Sequence, residues 1–364
     1  MHSLFLVIAL TLGGGDAPKM ATLAGTGERG FTGDGGPASK ATLSEPFHVE
    51  ADGKGNLYIA ESMNHCIRKV ELKTGNVTTV AGNGKKGYSG DNGKATDATF
   101  NEPYAVVVDK ADNLYIVDRL NAVVRKVDGK TGIITTLAGT GKKGFAGDGG
   151  PANKATMVEP NDCILDGKGG LLIADVGDWR IRRVDLATGI ISTFAGTGKA
   201  KVKARTVLER PDDGGPADKA RIVGARAVCV DGKGNTYICE REGSAIRKVD
   251  AKGIITTISG NGEWAYKGDG GDAKAAIFAG PKGIRCDADG HVYVVDCENH
   301  CIRKIDVQTL KIATIAGGQK GKTGDGGLAT KAGMDRPHGC CVDANGVLYI
   351  ADSNNHRVRM VRLR

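Results

Sequence analysis

Gly33-Asp34-Gly35-Gly36 returns along the chain as Gly90-Asp91-Asn92-Gly93, Gly147-Asp148-Gly149-Gly150, Asp212-Asp213-Gly214-Gly215, Gly268-Asp269-Gly270-Gly271 and Gly324-Asp325-Gly326-Gly327. The aspartates step by 57, 57, 65, 56 and 56 residues. A second marker, the arginine of Ile-Arg-Lys-Val type segments, falls at Arg68, Arg125, Arg182, Arg247, Arg303 and Arg359 and steps by the same 57, 57, 65, 56 and 56. Two markers with one rhythm mean six copies of one unit. The single long step places an insertion of about eight residues within 199–210, between the third and fourth units.

Within a unit the pattern is all strand. In the first copy, residues 47–52 form a short strand, Asp52-Gly53-Lys54-Gly55-Asn56 a turn rich in residues that tolerate positive φ, and 57–60 a second strand. Ser62-Met63-Asn64 turns the chain into a third strand over 65–71, and Lys73-Thr74-Gly75-Asn76 into a fourth over 77–81. Four short antiparallel strands repeated at this period are the signature of a propeller blade. Five units end in a fourth strand of the form apolar-x-Thr-apolar-Ala/Ser-Gly, while the sixth stops five residues after Arg359. The missing strand stands at the other end, in residues 20–27. The fold class is therefore all-β: a six-bladed β-propeller of four-stranded antiparallel blades, closed by an N-terminal strand that completes the last blade and leaves no open edge in the ring. The expected blades lie at about 39–82, 96–139, 153–196, 218–260, 274–317, and 330–364 plus 19–27.

Composition agrees. Glycine is 56 of 364 residues, without the every-third-residue period of collagen, and 40% hydrophobic residues suffice for a core. A net charge of +8 is spread along the chain with few aromatics, so a nucleic-acid partner is not indicated. The apolar run over 4–12 is too short to span a bilayer. Residues 1–18 read as an export signal or a disordered leader. An export signal would place the protein in the periplasm or outside the cell, and otherwise it is cytoplasmic. Nine cysteines without a Cys-x-x-Cys pair read as buried free thiols, and a monomer is expected.

Residues 349–359 (YIADSNNHRVR) resemble the core of the NHL repeat, and 58–68 and 293–303 match it nearly as well. The second, third and fourth copies are looser: Asp118-Arg119-Leu120-Asn121 lacks the His, and Asp175-Val176-Gly177-Asp178 and Glu240-Arg241-Glu242-Gly243 lack both Asn and His. The resemblance covers nearly everything after residue 19. It implies the propeller but not one function, since NHL propellers include protein-binding, RNA-binding and enzymatic members.

Repetition also separates scaffold from site, because one ligand does not need six copies of one group. By that test the acidic positions Glu61, Asp118, Asp175, Glu240, Asp296 and Asp352, the six arginines, and His65, His300 and His356 at the family's His position are scaffold. The Asp-Gly-Gly segments read as turns in preference to calcium sites.

Function belongs where blades differ. The pairs entering the innermost strands are Phe47-His48, Tyr104-Ala105, Asn161-Asp162, Arg226-Ala227, Lys282-Gly283 and His338-Gly339, no two alike. Six unlike side chains converging on the channel mouth suit an asymmetric ligand. The candidate ligand-binding residues are Phe47, His48, Tyr104, Asn161, Asp162, Arg226, Lys282 and His338. Arg226, Lys282 and His338, with Lys199, Lys201, Lys203, Arg205 and Arg210 of the insertion, make one side basic. The expected partner is an anionic small molecule, glycan or protein, bound without catalysis. In the alternative, His48, His338 and Asp162 hold a divalent metal, zinc or calcium, in a hydrolase or lyase. The family resemblance implies this alternative, as some NHL-like propellers are metal-dependent lactonases or lyases. The Glu that lactonase-type members place at the channel mouth has no match among the six pairs.

Overall fold

The computed structural model describes residues 17–199, 206 and 208–363. Most of the leader, including its apolar run, and Lys201, Lys203 and Arg205 of the insertion lie outside the described residues. Among those described, six four-stranded antiparallel sheets stand around a central axis, with short 3-10 turns and no longer helix. The innermost strands are Pro46–Ala51, Pro103–Val108, Pro160–Leu165, Ala225–Val230, Pro281–Cys286 and Gly339–Val342.

The ring closes as the sequence requires. Met20–Ala24 pairs antiparallel with Arg357–Arg362 as the fourth strand of the last blade, with Met20 opposite Val361 and Thr22 opposite Arg359. Thr22 Oγ1 also donates to Asp325 at 2.7 Å. The core is a circle of apolar layers between neighbouring blades. One joins Tyr58, Ala60 and Ile67 of blade 1 to Val106 and Ile116 of blade 2, and another joins Val49 and Ile59 to Tyr349 and Ala351 of blade 6.

The two sequence markers share a rhythm because they are the two halves of one ion pair. The aspartate of each Asp-Gly repeat accepts from the arginine of its own blade: Asp34 from Arg68 at 2.7 Å, Asp91 from Arg125 at 2.7 Å, Asp269 from Arg303 at 2.7 Å and Asp325 from Arg359 at 2.7 Å. Every one of the six arginines is fully buried. The acidic ring completes the clamp: Glu61 accepts from Arg68 at 3.1 Å and from the Ser44 amide at 2.9 Å, tying the second strand to the loop that leads inward.

Neighbouring glycines put backbone to use. Gly35 donates its amide to Val77 O at 2.8 Å and Val77 donates to Gly36 O at 2.9 Å. The other units repeat this exchange, and in the last one Met20 of the N-terminal strand takes the place of Val77. Gly33, at φ 90°, passes so close to Ala41 that a Cβ would lie 2.8 Å from its Cα.

The three family-type histidines also hold blades together. His65, His300 and His356 sit in the left-handed region, at φ 50°, 54° and 52°. Their Nδ1 atoms accept from the Glu102, Arg336 and Glu45 amides of the next blade at 3.3, 3.0 and 3.2 Å. Burial lowers all three imidazoles below their ordinary value, which keeps that nitrogen free to accept.

Candidate functional site

Five innermost strands start with a register shift against the second strand, between Pro46 and His48, Pro103 and Ala105, Pro160 and Asp162, Ala225 and Ala227, and Pro281 and Gly283. A bulge re-aims side chains at the end of a strand. Here it falls on the variable pairs and turns them toward the axis at two depths.

The upper depth is a bowl of about 480 Å³. Phe47, Tyr104, Arg226, Lys282 and His338 line its floor, and Arg119, Glu159, Trp179, Lys199 and Arg241 are among its wall residues. The floor is a packed aromatic and cationic layer. The Phe47 ring stacks on His338 at 4.3 Å and 12°, and Tyr104 tilts against Phe47 at 4.7 Å. Arg226 lies over the Tyr104 ring at 4.7 Å and donates from Nη2 to the phenol oxygen. Lys282 Nζ donates to His338 Nε2 at 2.9 Å, while His338 Nδ1 donates to Arg336 O at 2.8 Å. Burial holds His338 well below the ordinary imidazole range, and Lys282 and Arg226 push it the same way. Lys282 is itself brought down to about 8 by burial, with the Arg226 guanidinium acting in the same direction.

In the wall, Arg119 is shared by two carboxylates, Glu102 at 2.6 Å and Glu159 at 3.0 Å, and Arg241 pairs with Glu242 at 2.9 Å. Arg226 and Lys282 are 8% and 7% exposed, and among the described residues neither has a carboxylate within 4 Å. Both hydrogen-bond neutral groups only, so two buried cations face the bowl with no carboxylate in contact, Glu159 and Glu298 acting on them only at a distance.

The lower depth is filled. His48, Asn161 and Asp162 lie there, around a residual space of about 10 Å³, and Arg285 fills the centre. Arg285 donates to both oxygens of Asp162 at 2.9 and 3.1 Å, to Ile284 O at 2.8 Å and to His48 Nε2, with Glu50 at 3.4 Å. Burial lowers His48 well below its ordinary value, helped by Arg285. Burial pushes the Glu50 carboxyl up to about 7 against the pull of Arg285.

The eight candidates therefore divide. Phe47, Tyr104, Arg226, Lys282 and His338 share the bowl, whereas His48, Asn161 and Asp162 belong to the plugged layer. The structure does not gather His48, His338 and Asp162 into a ligand set. His48 Nε2 and Asp162 Oδ1 are 3.8 Å apart with the Arg285 guanidinium on both, and His338 Nε2 is taken by Lys282. Among the described residues the one cluster of possible metal ligands is Asp287, Asp289 and His291, in the turn after the fifth innermost strand. Of the insertion's cations, Lys199 lines the bowl wall, while Arg210 pairs with Glu240 and the Gly243 carbonyl as scaffold.

Sequence reading missed Arg285 and Glu50. Both stand three residues after the variable position, where blades 2 and 3 carry Val107 and Ile164. Opposite charges at one register position of two innermost strands were the available signal.

The NHL repeat model matches residues 278–305 and 334–359, and the teneurin NHL domain model matches 204–267. The chain is 27% identical over 334 residues to Protein SUPPRESSOR OF QUENCHING 1, chloroplastic, of Arabidopsis thaliana, across 88% of this chain and 30% of that protein. It is 27% identical over 346 residues to NHL repeat-containing protein 2 of Gallus gallus, across 87% of this chain and 46% of that protein. It thus spans less than half the length of these relatives. Among solved structures, an auxiliary nutrient binding protein from Bacteroides thetaiotaomicron shares the fold with a TM-score of 0.65 at 17% identity, covering 94% of this chain and 76% of that one. With these matches on the repeats and six closed four-stranded blades, the chain is an NHL-repeat six-bladed β-propeller.

Proposed function

We propose that this propeller is a binding module whose bowl takes an anionic small molecule. The ligand's carboxylate, phosphate or sulfate would lie on Arg226 and Lys282 and its body against Tyr104 and Trp179. The observation that carries this is the pair of buried cations with no carboxylate in contact: burying a charge that lacks a direct partner is unfavourable, and a bound anion lowers that penalty. Glu159 acts on Arg226 only at a distance: Arg119 holds its carboxylate directly, and Arg226 helps to keep it below the ordinary carboxylate value without touching it. The aromatic floor gives an apolar or sugar-like body a flat face, and the unlike walls give it one orientation.

Calorimetry with inorganic phosphate, citrate and glucuronate as probes tests the reading. At least one should bind, and Arg226→Gln and Lys282→Met should each weaken it by about tenfold to a hundredfold, the usual range for a lost hydrogen bond to a charged group. Binding by none of the three, or binding indifferent to both substitutions, rejects the proposal.

Acidity gives a second prediction. Lys282 is protonated below about 8 in the free protein, and a bound anion holds that proton on. For glucuronate, whose carboxylate does not titrate in this range, affinity should therefore be flat from pH 6 to 8 and fall by about tenfold per pH unit above it. Titrations in Lys282→Arg should lose that slope, since guanidinium does not titrate in this range.

A further inference from the structure

Neighbouring blades meet through their innermost strands, and at one such contact two thiols face each other. Cys229 lies near the end of Ala225–Val230 in blade 4, and Cys286 is the last residue of Pro281–Cys286 in blade 5. Their sulfurs are 3.0 Å apart, inside the apolar layer that packs Ala227 and Tyr237 against Ile284. No other two of the nine thiols are in such contact among the described residues. Cys229 is buried, and burial pushes its thiol well up, with the Cys286 contact acting the same way. Cys286 keeps partial exposure at the end of its strand.

We propose that Cys229 and Cys286 form a redox-active pair that closes to an inter-blade disulfide when the protein meets a small organic disulfide. The exposed member reacts first. Cys286 gives its proton to solvent, and its thiolate attacks one sulfur of the organic disulfide, breaking that bond and releasing one small thiolate. Cys229 then gives up its proton and attacks Cys286 Sγ, expelling the second small thiolate. The protein dithiol is oxidised by two electrons, the organic disulfide is reduced to two thiols, and the two protons lost by the protein end on them. A sulfur–sulfur bond is about 2 Å, so the strands have about 1 Å to close. The product staples the strands that carry Arg226 and Lys282, and it does so whether or not the bowl binds an anion.

The test is incubation of the full chain at low concentration with oxidised glutathione, alkylation, and digestion without reductant. A linked peptide pair containing Cys229 and Cys286, absent after reduction, is expected, together with loss of two of the nine titratable thiols. Thermal unfolding of the oxidised protein should move to higher temperature, and Cys286→Ser should show neither the link nor the shift. Nine thiols still titratable, a glutathione adduct on Cys286 that never resolves, or a link between other cysteines would overturn the proposal. Because the wild-type chain gives the primary result, it stands even where a variant folds poorly.

Discussion

Arg285→Met is expected to lower the free energy of unfolding by about 3–5 kcal/mol, the range for breaking a buried ion pair by removing one partner. Asp162 would keep its place in the channel without either of its two guanidinium hydrogen bonds, and Glu50 would lose its nearest cation. Arg285→Lys should rescue little, since an ammonium cannot reach both Asp162 oxygens and His48 as the planar guanidinium does. Arg285→Met combined with Asp162→Asn should recover a large part of the loss, because the uncompensated charge goes with the carboxylate. Urea unfolding of the three variants checks the set, and a single variant within about 0.5 kcal/mol of wild type would contradict the account.

The same site has a pH signature. Glu50 is raised to about 7 in the folded protein, so the folded state holds its proton more tightly than the unfolded chain. Its contribution to stability is complete below the ordinary carboxylate value and is lost as pH rises through 7. Without Arg285 the carboxyl rises further, and the deficit of Arg285→Met should be larger at pH 8 than at pH 5.

Deletion of residues 1–25 should have the other large effect. It removes the fourth strand of the last blade, including fully buried Met20 and Ala24, and strips the pairing from Arg357–Arg362. The ring would then be held shut only by packing between blades 1 and 6 and by a few hydrogen bonds such as Glu45 N–H to His356 Nδ1 and Ser353 Oγ to Pro46 O. The expected result is loss of the single cooperative thermal transition and early elution on size exclusion. A synthetic peptide of residues 17–28 added in trans should restore part of the transition. A truncated protein melting within about 2 °C of the full chain would show that the closure contributes little.

The fold was legible because the repeated residues are bonded to one another. Asp34 and Arg68 keep step with their five counterparts since each aspartate is its blade's arginine partner, and the residues 20–27 could be assigned to the last blade by counting strands. The site was legible only in part. That Phe47, Tyr104, Arg226, Lys282 and His338 converge follows from blade position alone. The direction of His48 and Asp162 does not, because it is set by Arg285, a charge placed among core positions, and by the bulge at the start of their strands. The bowl's wall was also hidden: Arg119 and Trp179 come from connections between second and third strands, where the copies depart most from the repeat.

The exchange of amides between each Asp-Gly loop and its outermost strand bears on the company this wheel can keep. An outer strand with unpaired amides is a template for intermolecular sheet growth, and here the loop interrupts that row in every sector. Substituting the loop glycines should thus show itself as self-association at high concentration before it shows as a change in the channel.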